Sequence, residues 1–192
     1  MPSKNTRNRF NEKSFYHVYN RGVNKQDIFL DSNDYIYLYS LLSRYLDPSD
    51  NQVDVDKVPY EKFHKSVELQ CYCLMNNHYH FLIYCDGVNN EASKLMKNIW
   101  GTYTRYFNKK YTRIGPLFQD RFKASLVSSE DHLIYLTKYI HLNPRNYENY
   151  RHSSLTAYLN LQIPKWMNPS RCLNITRQMN YREFLETPEQ FV

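Results

Sequence analysis

Between Cys71 and Cys85 the chain reads CYCLMNNHYHFLIYC. Two apolar runs flank Asn76-Asn77, a dipeptide that favours a turn. This pattern predicts a β-hairpin of Val67–Met75 and His78–Tyr84, with His78-Tyr79-His80 immediately after the turn. On a strand, residues i and i+2 share a face. Both imidazoles therefore project to one side and Tyr79 to the other. Two neutral imidazoles side by side make half a site for a divalent metal.

The flanking segments predict how that hairpin is built into a fold. Phe15–Asn20 (FYHVYN) is aromatic and β-branched and reads as a strand. Asp31-Ser32-Asn33-Asp34 offers an N-cap for a helix over Tyr35–Tyr45, with Leu38, Leu41, Leu42 and Tyr45 at helical spacing. A helix over Asn89–Tyr106 follows the hairpin, marked by Leu95, Ile99 and Tyr103. Phe107–Phe122 reads as a basic, aromatic loop and Lys123–Val127 as a short strand. The order strand, helix, strand, strand, helix, strand is the split βαβ arrangement. It predicts an α+β, ferredoxin-like antiparallel sheet with helices on one face. A further helix over Asp131–Asn143, stopped by Pro144, is added after that core. Ser153–Leu161 and Tyr181–Leu185 read as helical, and Pro164–Pro169 as a loop. The expected division is a flexible basic arm over 1–13, one domain over 14–161, and a C-terminal helical extension over 162–192.

Composition narrows the function. A net charge of +6 favours a polyanionic partner, and the 19 tyrosines and 10 phenylalanines suit stacking of unpaired bases beside phosphate-neutralising Lys and Arg. Only 4 glycines are present and no nucleotide-binding glycine fingerprint. No apolar run is long enough to cross a membrane. The polar, basic N-terminus is unlike a secretory signal, and the 4 cysteines are expected as reduced thiols in a cytoplasm. Arg105, Lys109, Lys110, Arg113, Arg121 and Lys123 cluster in sequence with Tyr103, Tyr106, Tyr111, Phe118 and Phe122, and are expected to form part of a DNA surface. Arg21, at the end of the first strand, and the arm residues Lys4, Arg7, Arg9 and Lys13 are further candidates for contacts with DNA.

Tyr139 and Asn143 lie four residues apart on the added helix and share a face. A phenol that cuts a phosphodiester must lose a proton it holds up to a pH of about 10, and it needs a divalent cation on the scissile phosphate. Two histidines and an amide oxygen can hold such a cation. His78, His80, Tyr139 and Asn143 supply all of these groups from a strand and a helix.

The ordered segments YHVYNRG, CLMNNHYHFLI, MKNIWGTYTRYFN, GPLFQDRFKASLV, YLTKYIHLNPRN and YRHSSLTAYL resemble those of REP-associated tyrosine transposases, IS200-like members of the HUH superfamily. The resemblance covers Phe15–Leu161. It implies the HUH endonuclease fold and an enzyme that cleaves and rejoins single-stranded or hairpin DNA through a 5′-phosphotyrosine. It also implies Tyr139 as nucleophile, with Mg2+ or Mn2+ held by His78, His80 and Asn143. Two positions depart from the family pattern: Asn76 stands where proline is usual, and His152 where tryptophan is usual. Cys71 and Cys73 with His78 and His80 raise a structural zinc site as an alternative, although the cysteines sit within an apolar strand and the spacing is unlike that of zinc fingers. A hairpin-binding module without catalysis is the other reading. RNA binding by the sheet would need RNP-type aromatic motifs, which are lacking. Monomer and homodimer both stay open.

Overall fold

The structure, a computed structural model, describes residues 10, 11, 13–86, 90–160, 162–176 and 180–187. Lys4, Arg7 and Arg9 of the expected basic arm lie outside the described residues. Four strands form one sheet: β1 (Ser14–Arg21), β2 (Val67–Met75), β3 (His78–Cys85) and β4 (Lys123–Leu126), in the order β2-β3-β1-β4. Every neighbouring pair is antiparallel. With α1 (Ser32–Leu46) between β1 and β2, and α2 (Glu91–Lys110) between β3 and β4, this is the ferredoxin-like α+β arrangement that the order of elements predicts.

The two faces of the sheet are covered by different helices. Tyr79 is fully buried and stacks on Trp100 of α2, with ring centroids 3.9 Å apart. Its neighbour Phe81 stacks on the same indole at 5.8 Å. Each fully buried ring contributes about 1.5–3 kcal/mol, so this face seats α2 firmly. Tyr72 of β2 meets Tyr39 of α1 edge-on. On the opposite face lies α3 (Glu130–Leu142), so the expectation of helices on one face holds for α1 and α2 only.

Local sequence explains most boundaries. Asp31 caps α1 by accepting from the amides of Asn33 and Asp34, and Asp34 returns the bond to the amide of Asp31, a capping box. Asn76 earns its place at the hairpin turn. Its carbonyl accepts from the amides of Ile28 and Phe29, and its side chain accepts from the Tyr35 hydroxyl at 3.1 Å. His152 fills an aromatic slot, stacked flat on Tyr35 at 3.5 Å with Nδ1 at 3.1 Å from the Tyr39 hydroxyl.

Most boundaries fall within three residues of expectation, and two departures are larger. Helix α2 runs on to Lys110, because Phe107 continues the buried stripe of Leu95, Ile99 and Tyr103. The helix end is then held by the Lys110 ammonium, 2.8 Å from carboxylate oxygens of both Asp31 and Asp34. The sequence also gives no warning of α5 (Ser170–Thr176). At seven residues it is too short to form alone. Burial of Cys172 and Leu173, and an ion pair between Arg171 and Glu68 at 2.8 Å, hold it against the sheet.

The C-terminal helices pack on the core. Between α4 (Leu155–Asn160) and α6 (Tyr181–Glu186), buried His141 of α3 bridges the Tyr181 hydroxyl at 2.6 Å and Ser154 Oγ at 2.7 Å. Burial holds its pKa down to about 3, so it sits there neutral. Lys138 of α3 donates to the carbonyls of Phe184 and Thr187, closing the end of α6. Among the described residues no helix is long and apolar enough to cross a membrane.

After β1 the chain passes Gly22, whose amide donates to the Asn77 carbonyl at 2.9 Å and so ties β1 to the hairpin turn. A Cβ at this position would lie 2.2 Å from the Gln26 carbonyl oxygen. Gly22→Ala is therefore expected to cost about 2 kcal/mol, because backbone must move to admit a methyl group. Urea unfolding measures this. An unchanged midpoint would mean that the turn yields without loss.

Candidate active site

The alternation of β3 brings His78 and His80 onto the α3 face, with ring centroids 5.1 Å apart and planes at right angles. Strand β1 adds to the same face, since Tyr19 is paired with His80 and Arg21 with His78. His17, two residues before Tyr19, places Nε2 at 2.8 Å from Nδ1 of His80. That contact engages one nitrogen of His80 and leaves Nε2 for another partner, which is how an outer histidine sets the orientation of a ligating one.

Helix α3 supplies the other half. Tyr139 is 36% exposed, and its ring meets His80 edge-on at 5.5 Å. One turn later, Asn143 closes α3 as its C-cap and places Oδ1 at 3.0 Å from Nε2 of His78. The other nitrogen of His78, Nδ1, lies 2.6 Å from Asn77 Oδ1. Burial lowers the pKa of His78, opposed by the Asn143 side chain, and lowers that of His80 far more. His17 is held down to about 4, chiefly by burial. All three rings are therefore neutral near pH 7.

The donor set fits a divalent cation. A neutral imidazole carries one N–H, yet both nitrogens of His78 face amide oxygens. When Nδ1 donates to Asn77, Nε2 and Asn143 Oδ1 turn lone pairs toward each other. A cation between them relieves that opposition, and His80 stands beside them with Nε2 uncommitted. Two imidazoles and an amide oxygen suit Mn2+ and are compatible with Mg2+. Among the described residues no group of three or more His, Cys, Asp or Glu side chains forms a metal cage. The zinc alternative also loses its thiolates: Cys71 and Cys73 are fully buried, and burial raises both thiols, that of Cys73 to about 12. Burial and the neighbouring Tyr135 raise the pKa of Tyr139, with Asn143 pulling the other way. Its phenol is therefore protonated at neutral pH.

These groups open into a cleft of about 530 Å³, lined by His78, His80 and Tyr139 together with Tyr19, Arg21 and Lys123. Asn20, Gln119 and Asp120 complete its wall. The last two arrive because the loop before β4 runs back along β1: the Gln119 amide donates to the Arg21 carbonyl and Asn20 Nδ2 to the Asp120 carbonyl, both at 2.9 Å.

Of the expected site residues, the fold brings Tyr139, His78, His80, Asn143, Arg21 and Lys123 together. Arg121 lines an adjoining groove. Arg105 borders a separate hollow with Arg44 and Tyr60. Lys109 is exposed in the last turn of α2. Lys110 is committed to Asp31 and Asp34, and Arg113 donates to Asn108 Oδ1 at 2.9 Å. Sequence reasoning missed His17, Tyr19, Gln119 and Asp120. Alternation along FYHVYNR puts His17, Tyr19 and Arg21 on one face, but their meeting with His78 and His80 depends on strand register.

Residues 56–143 match the IS200-like transposase family. That IS200-like stretch holds His78, His80, Tyr139 and Asn143, all four candidates for the chemistry. No curated protein matches the chain. Among solved structures, the chain is similar to a REP-associated tyrosine transposase bound to a REP hairpin, with a TM-score of 0.62 and 11% identity, over 86% of this chain and 92% of that one. At that identity the likeness is one of fold. It covers the fold on both sides of residues 56–143.

Proposed function

We propose that this protein is a single-tyrosine transposase that cleaves and rejoins single-stranded DNA beside hairpins. The observation that carries the proposal is the meeting of His78 and His80 of β3 with Tyr139 of α3 in one open cleft, with Asn143, the C-cap of α3, bonded to His78 behind it. Tyr139 Oη attacks the phosphorus. An oxygen–phosphorus bond forms to the phenol, the bond to the 3′-oxygen breaks, and the phenolic proton passes to water in the cleft. The 3′-oxygen leaves as a hydroxyl after taking up a proton. The 5′ end stays on Tyr139 until another 3′-hydroxyl attacks and reverses the exchange.

His78, His80 and Asn143 would hold a divalent cation, Mg2+ or Mn2+. When bound, it supplies positive charge to the scissile phosphate and to the attacking phenol. His17 keeps His80 oriented. Arg21 and Lys123 border the cleft where the phosphate backbone would pass, and Arg121 extends this path. The four buried, unpaired cysteines suit a reducing cytoplasm.

The test is a denaturing gel of the protein incubated with labelled single-stranded hairpin DNA, with Mn2+ or Mg2+ and with chelator. A covalent adduct that needs the cation and disappears with chelator is expected. Tight hairpin binding without an adduct under either cation would replace this reading by a binding module that does not cut.

A further inference from the structure

Beside the cleft lies a second groove, of about 790 Å³, on the α2 side of the sheet edge. Its floor includes Tyr79 and Trp100, and half-buried Phe118 and Phe122 form a wall. Four buried side-chain polar atoms lack a hydrogen-bond partner among the described residues, and two of them, Tyr79 Oη and Trp100 Nε1, belong to this groove. Tyr79 is 0% exposed and Trp100 6%. A hydroxyl or indole N–H left unpaired at such depth costs about 1–3 kcal/mol, so a ligand edge that reaches them by shifting the Phe118 ring, which packs edge-on against both, recovers that energy. Exposed Lys97 and Arg121 stand at the rim and form no ion pair among the described residues.

We propose that this groove binds one unpaired nucleotide of the single-stranded DNA whose backbone crosses the neighbouring cleft. The proposal rests on the single-stranded DNA substrate proposed above. Asn20 and Asp120 border both hollows, so a strand leaving the cleft enters the groove directly. The aromatic surface of Phe118 and Phe122 suits a base, and Lys97 and Arg121 suit its flanking phosphates. The indole N–H only donates, so it selects a base edge that carries an acceptor. The Tyr79 hydroxyl can take either role, and the Asp120 carboxylate at the rim favours a base that also presents an amino group. The volume lies within the range of small-ligand sites.

Gly101 offers a clean obstruction. A Cβ there meets no atom within 4 Å, and a side chain in place of glycine within a helix costs nothing in propensity. The full chain, carrying Trp166→Phe so that Trp100 is the single indole, is titrated with labelled single-stranded hexanucleotides of dT, dA and dC. Trp100 fluorescence, DNA anisotropy and melting temperature are read together. Saturable quenching by at least one hexanucleotide is expected. Tyr79→Phe should weaken that binding about five- to tenfold without lowering the melting temperature. Gly101→Leu should abolish the quenching with the melting temperature unchanged or raised. Wild-type affinity and quenching in both variants would show that the groove holds only water, and would overturn this inference while an adduct on Tyr139 still stood. Absence of both DNA binding and adduct would overturn the groove and the transposase reading together.

Discussion

Tyr139→Phe is expected to abolish the covalent DNA adduct while leaving the fold and hairpin affinity intact. The substitution removes one oxygen from a ring that is already partly in solvent, so its cost in stability should stay within about 0.5 kcal/mol. The edge-on contact of the ring with His80 survives, because phenylalanine keeps the same ring. What is lost is the nucleophile, and removal of a nucleophile costs more than about 10⁴-fold in rate. The result is sharpened by the neighbours. Tyr135 stacks beside Tyr139 at 6.2 Å and Tyr19 lines the same cleft, so two other phenols are close. An adduct that persisted in Tyr139→Phe and mapped by peptide sequencing to either of them would remove Tyr139 from the role proposed for it.

What the sequence made legible follows the range of the interactions involved. The hairpin could be read because Asn76-Asn77 and the alternation around His78-Tyr79-His80 are local signals, and β2 begins and ends at the residues expected. Tyr139 and Asn143 could be paired because helical spacing is local as well. The end of α2 could not be read, since Lys110 is fixed by Asp31 and Asp34, which are remote in sequence. Helix α5 escaped for the same reason: its stability comes from burial of Cys172 and Leu173 against distant elements. His17 is the clearest case at the site. Its bond to His80 is created by the pairing of β1 with β3, a register that no local pattern in either strand specifies. Lys110 and Arg113 illustrate the converse: sequence shows their charge, but only the fold shows that both already have partners within the protein.

The two histidines of β3 should behave alike in activity and differently in stability. His78→Ala and His80→Ala each remove one of two imidazoles from the proposed cation site, and both are expected to eliminate the cation-dependent adduct. His78 is half-buried, and its polar contacts, Asn77 and Asn143, are side chains at a turn and a helix end. Its loss in the absence of cation should cost under about 1 kcal/mol. His80 is buried and bonded to buried His17 at 2.8 Å. His80→Ala opens a cavity and leaves His17 Nε2 without a partner, for an expected cost of about 2–4 kcal/mol. Chemical unfolding with chelator present, paired with calorimetric titration of Mn2+, separates the effects. Cation binding should vanish in both variants, and the unfolding midpoint should fall markedly in His80→Ala alone. Wild-type cation affinity in either variant would mean that the two imidazoles do not share an ion. Equal loss of stability in both would mean that the His17–His80 bond contributes little to holding the site in place.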